Sequence, residues 1–380
     1  MFSFICPQKI LFGRGQCQQA ATLAATFGQV VLLIHGSDPS RAQWLIDGCR
    51  AAGLTMNTIS CGREPSLPNI EVALTQLDGM RPDVVVALGG GSVIDFAKAL
   101  AALIPCSGKP ASYLEVVGDG RRLEHETIPM IALPTTAGTG AEVTKNAVIS
   151  VPEHGLKVSL RDPQMLPEIA IIDPSLMQGA PKHVTLAAGL DAITQVIEPY
   201  LSLKANPMTD ALCRSAIPIG LSVLKDLVEN DAQAAWDSMA WVSTCGGLAL
   251  ANAGLGAVHG FAGVIGGKTN APHGEICGAL LPAVLESHLR KAQPQSDIFD
   301  RLHWILHQID AHFADGIKGS GISELHRWSQ NMGLRGLADM KLSDTHYSEI
   351  AAAASKASSM KGNPFPLARH ELVAILRCAE

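Results

Sequence analysis

A doubly wound parallel α/β sheet in the first half and an all-helical second half are what this chain of 380 residues predicts. Three observations carry that expectation. Short, continuous apolar runs alternate with helical stretches as far as Asp173-Pro174. Two of those runs end in turns rich in glycine or threonine. Beyond about Lys182 the apolar periodicity is helical nearly to the C-terminus.

Val30-Val31-Leu32-Leu33-Ile34 is apolar at every position, as a parallel strand covered on both faces requires. A helix is expected over 41–52. Asp83 to Leu88 is the next strand, followed by a helix starting near Val93 that carries Asp95 and Lys98. Ile128 to Leu133 and Glu168 to Ile172 complete the strands that stand out. The helical half reads as 183–203, 207–229, 231–265, 273–290, 297–309, 322–332, 344–360 and 368–378, punctuated by Pro181, Pro207, Gly266-Gly267, Pro272 and Gly362-Asn363-Pro364. The expected domains are therefore 1–178 and 179–380, with no internal repeat.

Composition narrows the function classes. The chain is 47% hydrophobic, 17% charged and only 4% aromatic, so its helices must pack through small side chains. A formal charge of −6, with no Lys/Arg-rich tract, excludes nucleic acid as the main partner. Nine cysteines without a Cys-x-x-Cys pair read as free thiols in a reducing cytoplasm. The N-terminus lacks the basic start and small-residue cleavage site of a secretory leader. Gly246 to Gly267 is long and apolar enough to span a bilayer, but it is built mainly from Gly and Ala and has no aromatic belt. A buried core helix is expected there, and no membrane partner.

The two turns carry the chemistry. Gly89-Gly90-Gly91-Ser92 follows one strand, and Pro134-Thr135-Thr136-Ala137-Gly138-Thr139-Gly140-Ala141-Glu142 follows another. Glycines at a strand end let backbone approach a pyrophosphate, and the next helix presents free N–H groups to the anion. Hydroxyls of Thr135, Thr136, Thr139 and Thr144 can reach phosphate, ribose or adenine, or can cap the following helix. A dinucleotide, and hence an enzyme, is expected. After the first strand the chain reads His35-Gly36-Ser37-Asp38-Pro39-Ser40-Arg41. Asp38 can accept from a ribose 2′-hydroxyl, while Gly36, Ser37, Ser40 and Arg41 equally suit a 2′-phosphate.

Taken together, Gly89-Gly90-Gly91-Ser92-x-x-Asp95-x-x-Lys98, Pro134 to Gly140, Ala188-Gly189-Leu190-Asp191-Ala192, His259-Gly260, Pro272-His273-Gly274 and Gly362-Asn363-Pro364-x-Pro366-Leu367 resemble the iron-containing (group III) alcohol dehydrogenases in content and order. The resemblance spans essentially the whole chain. It implies a dinucleotide-binding domain, an all-helical metal and substrate domain, and a cleft where hydride passes between NAD(P)(H) and a small alcohol or aldehyde. It also implies a cytoplasmic homodimer or larger homo-oligomer. Gly36, Ser37, Gly90, Gly91, Ser92, Asp95, the four threonines and Lys157 fall with the cofactor. Family members strict for NAD usually carry Asp where this chain has Gly36, so NADP(H) is expected to be tolerated or preferred.

Asp191, Gln195, His259 and His273 fall with a divalent metal, Fe2+ or Zn2+. Asp191 and Gln195 are four apart, on one face of a helix. A metal there would polarise the substrate oxygen as a Lewis acid. The chain departs from the family pattern twice. A histidine usually stands where Gln195 does, and amide oxygen is a weak, neutral donor for borderline metals. A further histidine usually stands where Gly263 does, so no proton relay and no catalytic side chain is assigned.

Three other activities share this sequence pattern. One is an oxo-acid or maleylacetate-type reductase, which would need a cationic anchor, and the second half shows no obvious Arg cluster near the metal residues. Another is a dehydroquinate-synthase-like lyase, whose phosphate-binding Lys and Arg set is missing. The last is a non-catalytic nucleotide-binding protein.

Overall fold

The structure, a computed structural model, describes residues 1–269 and 271–380. Two compact units emerge: Cys6–Thr136 with Gly140–Gln178, and Gly179–Glu380 with Met1–Ile5 and Ala137–Thr139.

The first of these, the sheet unit, holds β1 (Lys9–Phe12), β2 (Val30–His35), β3 (Thr55–Ser60), β4 (Val84–Gly89), β5 (Met130–Pro134), β6 (Asn146–Val151), β7 (Leu156–Arg161) and β8 (Ile169–Ile172). Its helices are α1 (Ala20–Ala24), α2 (Gln43–Ala51), α3 (Leu67–Gln76) and α4 (Gly91–Leu103). Six strands form one sheet in the order β1-β8-β5-β4-β2-β3, every pair parallel. Alternate side chains sort to the two faces. Leu32, Ile34, Val85, Ala87, Met130 and Ala132 pack with α3 and α4. Val31, Leu33, Val84, Val86, Ile131 and Leu133 pack with α1 and α2. Burial on both faces explains why β2, β4, β5 and β8 read as unbroken apolar runs. The doubly wound fold is the one the sequence predicts.

Strand order reverses between β2 and β4, which are hydrogen-bonded neighbours although β3 intervenes in the chain. In open α/β sheets a ligand crevice lies beyond the carboxyl ends of strands at such a reversal. Here those ends carry Gly36 and the Gly89-Gly90-Gly91 turn.

The helical unit contains α5 (Lys182–Leu201), α6 (Pro207–Asn230), α7 (Gln233–Ala253), α8 (Ala257–Thr269), α9 (His273–Lys291), α10 (Asp297–Phe313), α11 (Gly321–Asn331), α12 (Asp344–Ala354) and α13 (Arg369–Cys378). α5 is its axle, buried along most of its length and packed on α6, α7 and α9. Small residues permit the close approach. A Cβ at Gly246 would stand 3.1 Å from Gln195 Cβ, and one at Gly274 only 2.3 Å from the Ala187 carbonyl oxygen.

The helix expected over 231–265 is two helices. α7 and α8 meet at 99°, so no single described helix is long and apolar enough to cross a membrane. Gly254, at φ +72°, breaks the ladder. The new helix is then started by two side chains: Asn363 Oδ1 accepts from Ala257 N at 3.0 Å, and Glu198 Oε1 accepts from Val258 N at 2.7 Å. The helix expected over 344–360 likewise ends at Ala354, with a 3-10 turn over Ser359–Gly362.

Candidate active site

In the sheet unit the two chemical turns adjoin. Thr135 N donates to Gly89 O at 3.0 Å, and a Cβ at Gly90 would stand 3.3 Å from the Thr136 side chain. A Cβ at Gly89 would come within 2.4 Å of Val93, so only glycine turns the chain here. Gly90 precedes α4 without capping it through a side chain, which leaves the first-turn N–H groups of Gly91 and Ser92 for an anion. Gly36 faces open space, with nothing within 4 Å of where its Cβ would be, and its neighbour Ser37 is exposed. Asp38 accepts from Ser40 N and Oγ at 3.0 and 2.6 Å, closing a local turn.

Three sequence-chosen cofactor residues are engaged inside the fold. Asp95 accepts from Val148 N at 2.9 Å, which ties α4 to the β6–β7 hairpin. Thr144 is buried; its hydroxyl accepts from Lys98 Nζ at 2.7 Å and donates to Ala141 O at 3.2 Å. Lys157 is ion-paired with Glu64. Burial of Lys98 holds its ammonium down at about 8, against the pull of Asp95 and Glu142, and burial pushes the Glu142 carboxyl up to about 7.

In the helical unit the donors converge. Asp191 on α5, His259 on α8, and His273 and Cys277 on α9 place one ligand atom each within 4.8 Å of all the others. His259 Nε2 lies 3.3 Å and His273 Nε2 3.9 Å from Asp191 Oδ1. Cys277 Sγ lies 3.8 Å from His259 Nε2 and 3.7 Å from His273 Nε2. Asp191 is only 2% exposed, and its Oδ1 has no hydrogen-bond partner. Gln195, one turn along α5, donates from Nε2 to Gly138 O at 3.2 Å, while its Oε1 is buried without a partner.

Local folding explains each placement. Asp191, Gln195 and Glu198 are spaced i, i+4 and i+7, so one face of α5 presents all three. His273 and Cys277 repeat the i, i+4 spacing on α9. Glu198 does two jobs. One oxygen starts α8, and the other accepts from His259 Nδ1 at 2.7 Å. With Nδ1 carrying the proton, Nε2 is left as a lone-pair donor facing Asp191 and Cys277.

The electrostatics describe a pocket that seeks positive charge. Burial alone would lower both imidazoles, but the Cys277 sulfur and Asp191 outweigh it. His273 is held at about 9 and His259 well above its ordinary value. Burial would raise Asp191 too, yet the two histidines keep it below the usual carboxylate range.

Known proteins match this arrangement from end to end. Residues 7–174 match the iron-containing alcohol dehydrogenase family, and residues 185–379 match its C-terminal domain, the Fe-containing alcohol dehydrogenase family, C-terminal. A probable alcohol dehydrogenase EutG of Escherichia coli (strain K12) is 32% identical over 384 residues, covering 100% of this chain and 94% of the relative. The chain belongs to the iron-containing alcohol dehydrogenase family. Another member, long-chain-alcohol dehydrogenase 1 of Geobacillus thermodenitrificans (strain NG80-2), is 34% identical over 325 residues, 83% of this chain and 80% of its own. Among solved structures, a 1,3-propanediol oxidoreductase superposes with a TM-score of 0.89 at 28% identity, covering 100% of both chains. Family membership carries with it an oxidoreductase acting on alcohols, a metal and NAD(H).

Within that family framework, Cys277 and Glu198 are the residues the sequence reading missed. Their signals were present: Cys277 one helical turn after His273, Glu198 two turns after Asp191. A lone cysteine or glutamate on an apolar helix simply resembles core or surface. Glu198 has a measurable part. Glu198→Gln is expected to weaken metal affinity by about 10- to 100-fold while helix content is kept, checked by competitive chelator titration and circular dichroism. Unchanged affinity would mean that Glu198 does no more than cap α8.

Proposed function

We propose that this chain is a metal-assisted, NAD(P)-dependent alcohol dehydrogenase or aldehyde reductase for small alcohols and aldehydes. The observation that carries the reading is the convergence of Asp191, His259 and His273, with the buried Asp191 Oδ1 left unpartnered. That donor set fits a divalent metal, Fe2+ or Zn2+, because it offers an anionic oxygen and two imidazole nitrogens in a buried place. Gln195 and Cys277 border the same position. When bound, such a metal supplies Lewis acidity toward an alcohol or carbonyl oxygen.

The remaining work falls to the chain itself. Uncapped N–H groups at the start of α4 bind the dinucleotide pyrophosphate, with the Thr135 and Thr136 hydroxyls beside them. Open space at Gly36, flanked by Ser37, accommodates a 2′-phosphate as well as a hydroxyl, which makes NADP(H) an acceptable cofactor. Glu198 keeps the proton on His259 Nδ1, so that the ring cannot rotate its lone pair away. Nothing lies within 4 Å of a Cβ at Gly263, which gives a substrate chain room where an imidazole would stand. The same reading makes the protein a cytoplasmic homodimer or larger homo-oligomer, its nine cysteines remaining thiols.

Anaerobic purification with elemental analysis, followed by an aldehyde-reduction panel before and after chelation, tests the proposal. Turnover with both NADH and NADPH is expected, lost on chelation and restored by added Fe2+ or Zn2+. Full activity after complete metal removal would overturn the mechanism. Strict use of NADH would overturn the part given to Gly36.

A further inference from the structure

We propose that Cys277 is the fourth metal ligand of this chain, its thiolate closing a site with Asp191, His259 and His273 while Gln195 serves as a positioning residue. The inference rests on the metal-assisted reading above and adds to it a ligand of a different chemical kind.

Geometry favours sulfur. Bonds of about 2.0–2.1 Å to nitrogen and oxygen and about 2.3 Å to sulfur, at tetrahedral angles, place ligand atoms roughly 3.3–3.6 Å apart. The Asp191 Oδ1 to His259 Nε2 separation is 3.3 Å, and Cys277 Sγ stands 3.7 and 3.8 Å from the two histidine nitrogens. Of these four separations His273 to Asp191, at 3.9 Å, is the longest, and His273 is the one partly exposed member. His273 and Cys277 lie one turn apart on α9, so a single rigid helix sets the spacing between their donor atoms.

Charge is compatible with it. Two neutral imidazoles, one carboxylate and one thiolate bring two negative charges to a divalent cation, with the Glu198 carboxylate lying behind them on His259 Nδ1 at 2.7 Å. On binding, the thiol proton and any proton on His259 Nε2 or His273 Nε2 pass to solvent as the metal–ligand bonds form.

Gln195 is anchored through its nitrogen: Nε2 donates to Gly138 O at 3.2 Å and Cβ is set closely against Gly246, while Oε1 is buried without a partner. A neutral amide oxygen is the weaker donor for a borderline metal, so the thiolate is the preferred fourth ligand. A thiolate beside two imidazoles makes the site softer than oxygen and nitrogen alone would, which shifts preference toward Zn2+.

Cobalt reads the ligand directly, because thiolate ligation gives an intense sulfur-to-metal charge-transfer band in the near ultraviolet. The full chain, freed of metal and titrated with Co2+, is expected to take up one ion and develop that band. Cys277→Ser should abolish the band and weaken Co2+ affinity at least about tenfold. Gln195→Ala should keep the band. The band is read on the unmutated chain, so a variant that fails to fold cannot hide the answer. Co2+ bound without the band, and equally tightly by Cys277→Ser, would overturn the role of Cys277 and leave the metal-assisted reading standing. A native chain that binds no Co2+ would overturn both.

Discussion

Asp191→Asn is expected to strip the protein of metal and to lower aldehyde-reduction turnover by about 10^3-fold or more, with the fold intact. The exchange is nearly isosteric, so packing along α5 is preserved. What changes is charge at an atom that nothing else satisfies: Oδ1 is buried, has no hydrogen-bond partner, and faces His259 Nε2 at 3.3 Å. An amide there either offers a neutral oxygen or turns its NH2 toward the imidazoles. Losing a supporting carboxylate typically costs 10–100-fold, and a direct anionic ligand costs more than its support. Elemental analysis of the purified variant, with turnover and thermal melting measured together, checks this expectation. Retention of full metal and full turnover would remove Asp191 from the site.

Gly274→Ala is expected to be among the most disruptive single methyl groups in the helical unit. Its Cβ would sit 2.3 Å from the Ala187 carbonyl oxygen and 2.7 Å from the carbonyl carbon. Those are backbone atoms of α5, which cannot rotate aside as a flexible side chain can. α9 would have to move away from α5, taking His273 and Cys277 from Asp191. Overpacking of this kind costs about 1–3 kcal/mol, and a backbone clash lies at the upper end. The melting temperature should fall by roughly 6–12 °C on the scaling for units of this size. Gly263→Ala is the control: a helical glycine in α8 with nothing within 4 Å of its would-be Cβ. There alanine should leave stability unchanged or raise it by about 0.5–1 kcal/mol. Equal melting of the two variants would refute the close-packing argument.

The legible parts of the sequence were those where one physical demand dominates. Buried parallel strands need apolar residues at every position, and β2, β4, β5 and β8 supply them. β1 and β3 were silent for the opposite reason. Both lie at sheet edges, partly exposed, and Thr55-Met56-Asn57-Thr58-Ile59-Ser60 carries too few apolar residues to declare itself. The β6–β7 hairpin turns at Gly155, without the short Asn-Gly or Asp-Gly signal that marks tighter hairpins. The break before α8 hid because Ala253-Gly254-Leu255-Gly256 continues the small, apolar composition of the helices it separates.

At the site, Asp191, His259 and His273 were found through family motifs, and the fold then brought them together. Thr144, Asp95 and Lys157 have structural partners as well: Asp95 and Thr144 bind within the hairpin region and Lys157 pairs with Glu64. Cys277 and Glu198 needed three dimensions, since each gains meaning only from a partner 18 or 61 residues away.

The double role of Glu198 has a thermodynamic consequence. Because one carboxylate both nucleates α8 and aligns His259, fraying of that helix end and misalignment of the imidazole are a single event. Any cation favouring the aligned ring therefore also favours the folded helix start, by mass action. Occupancy and local folding are linked functions: a protein starved of metal would loosen first at residues 257–259, where the apolar ribbon changes direction, and a loaded one would be locked there.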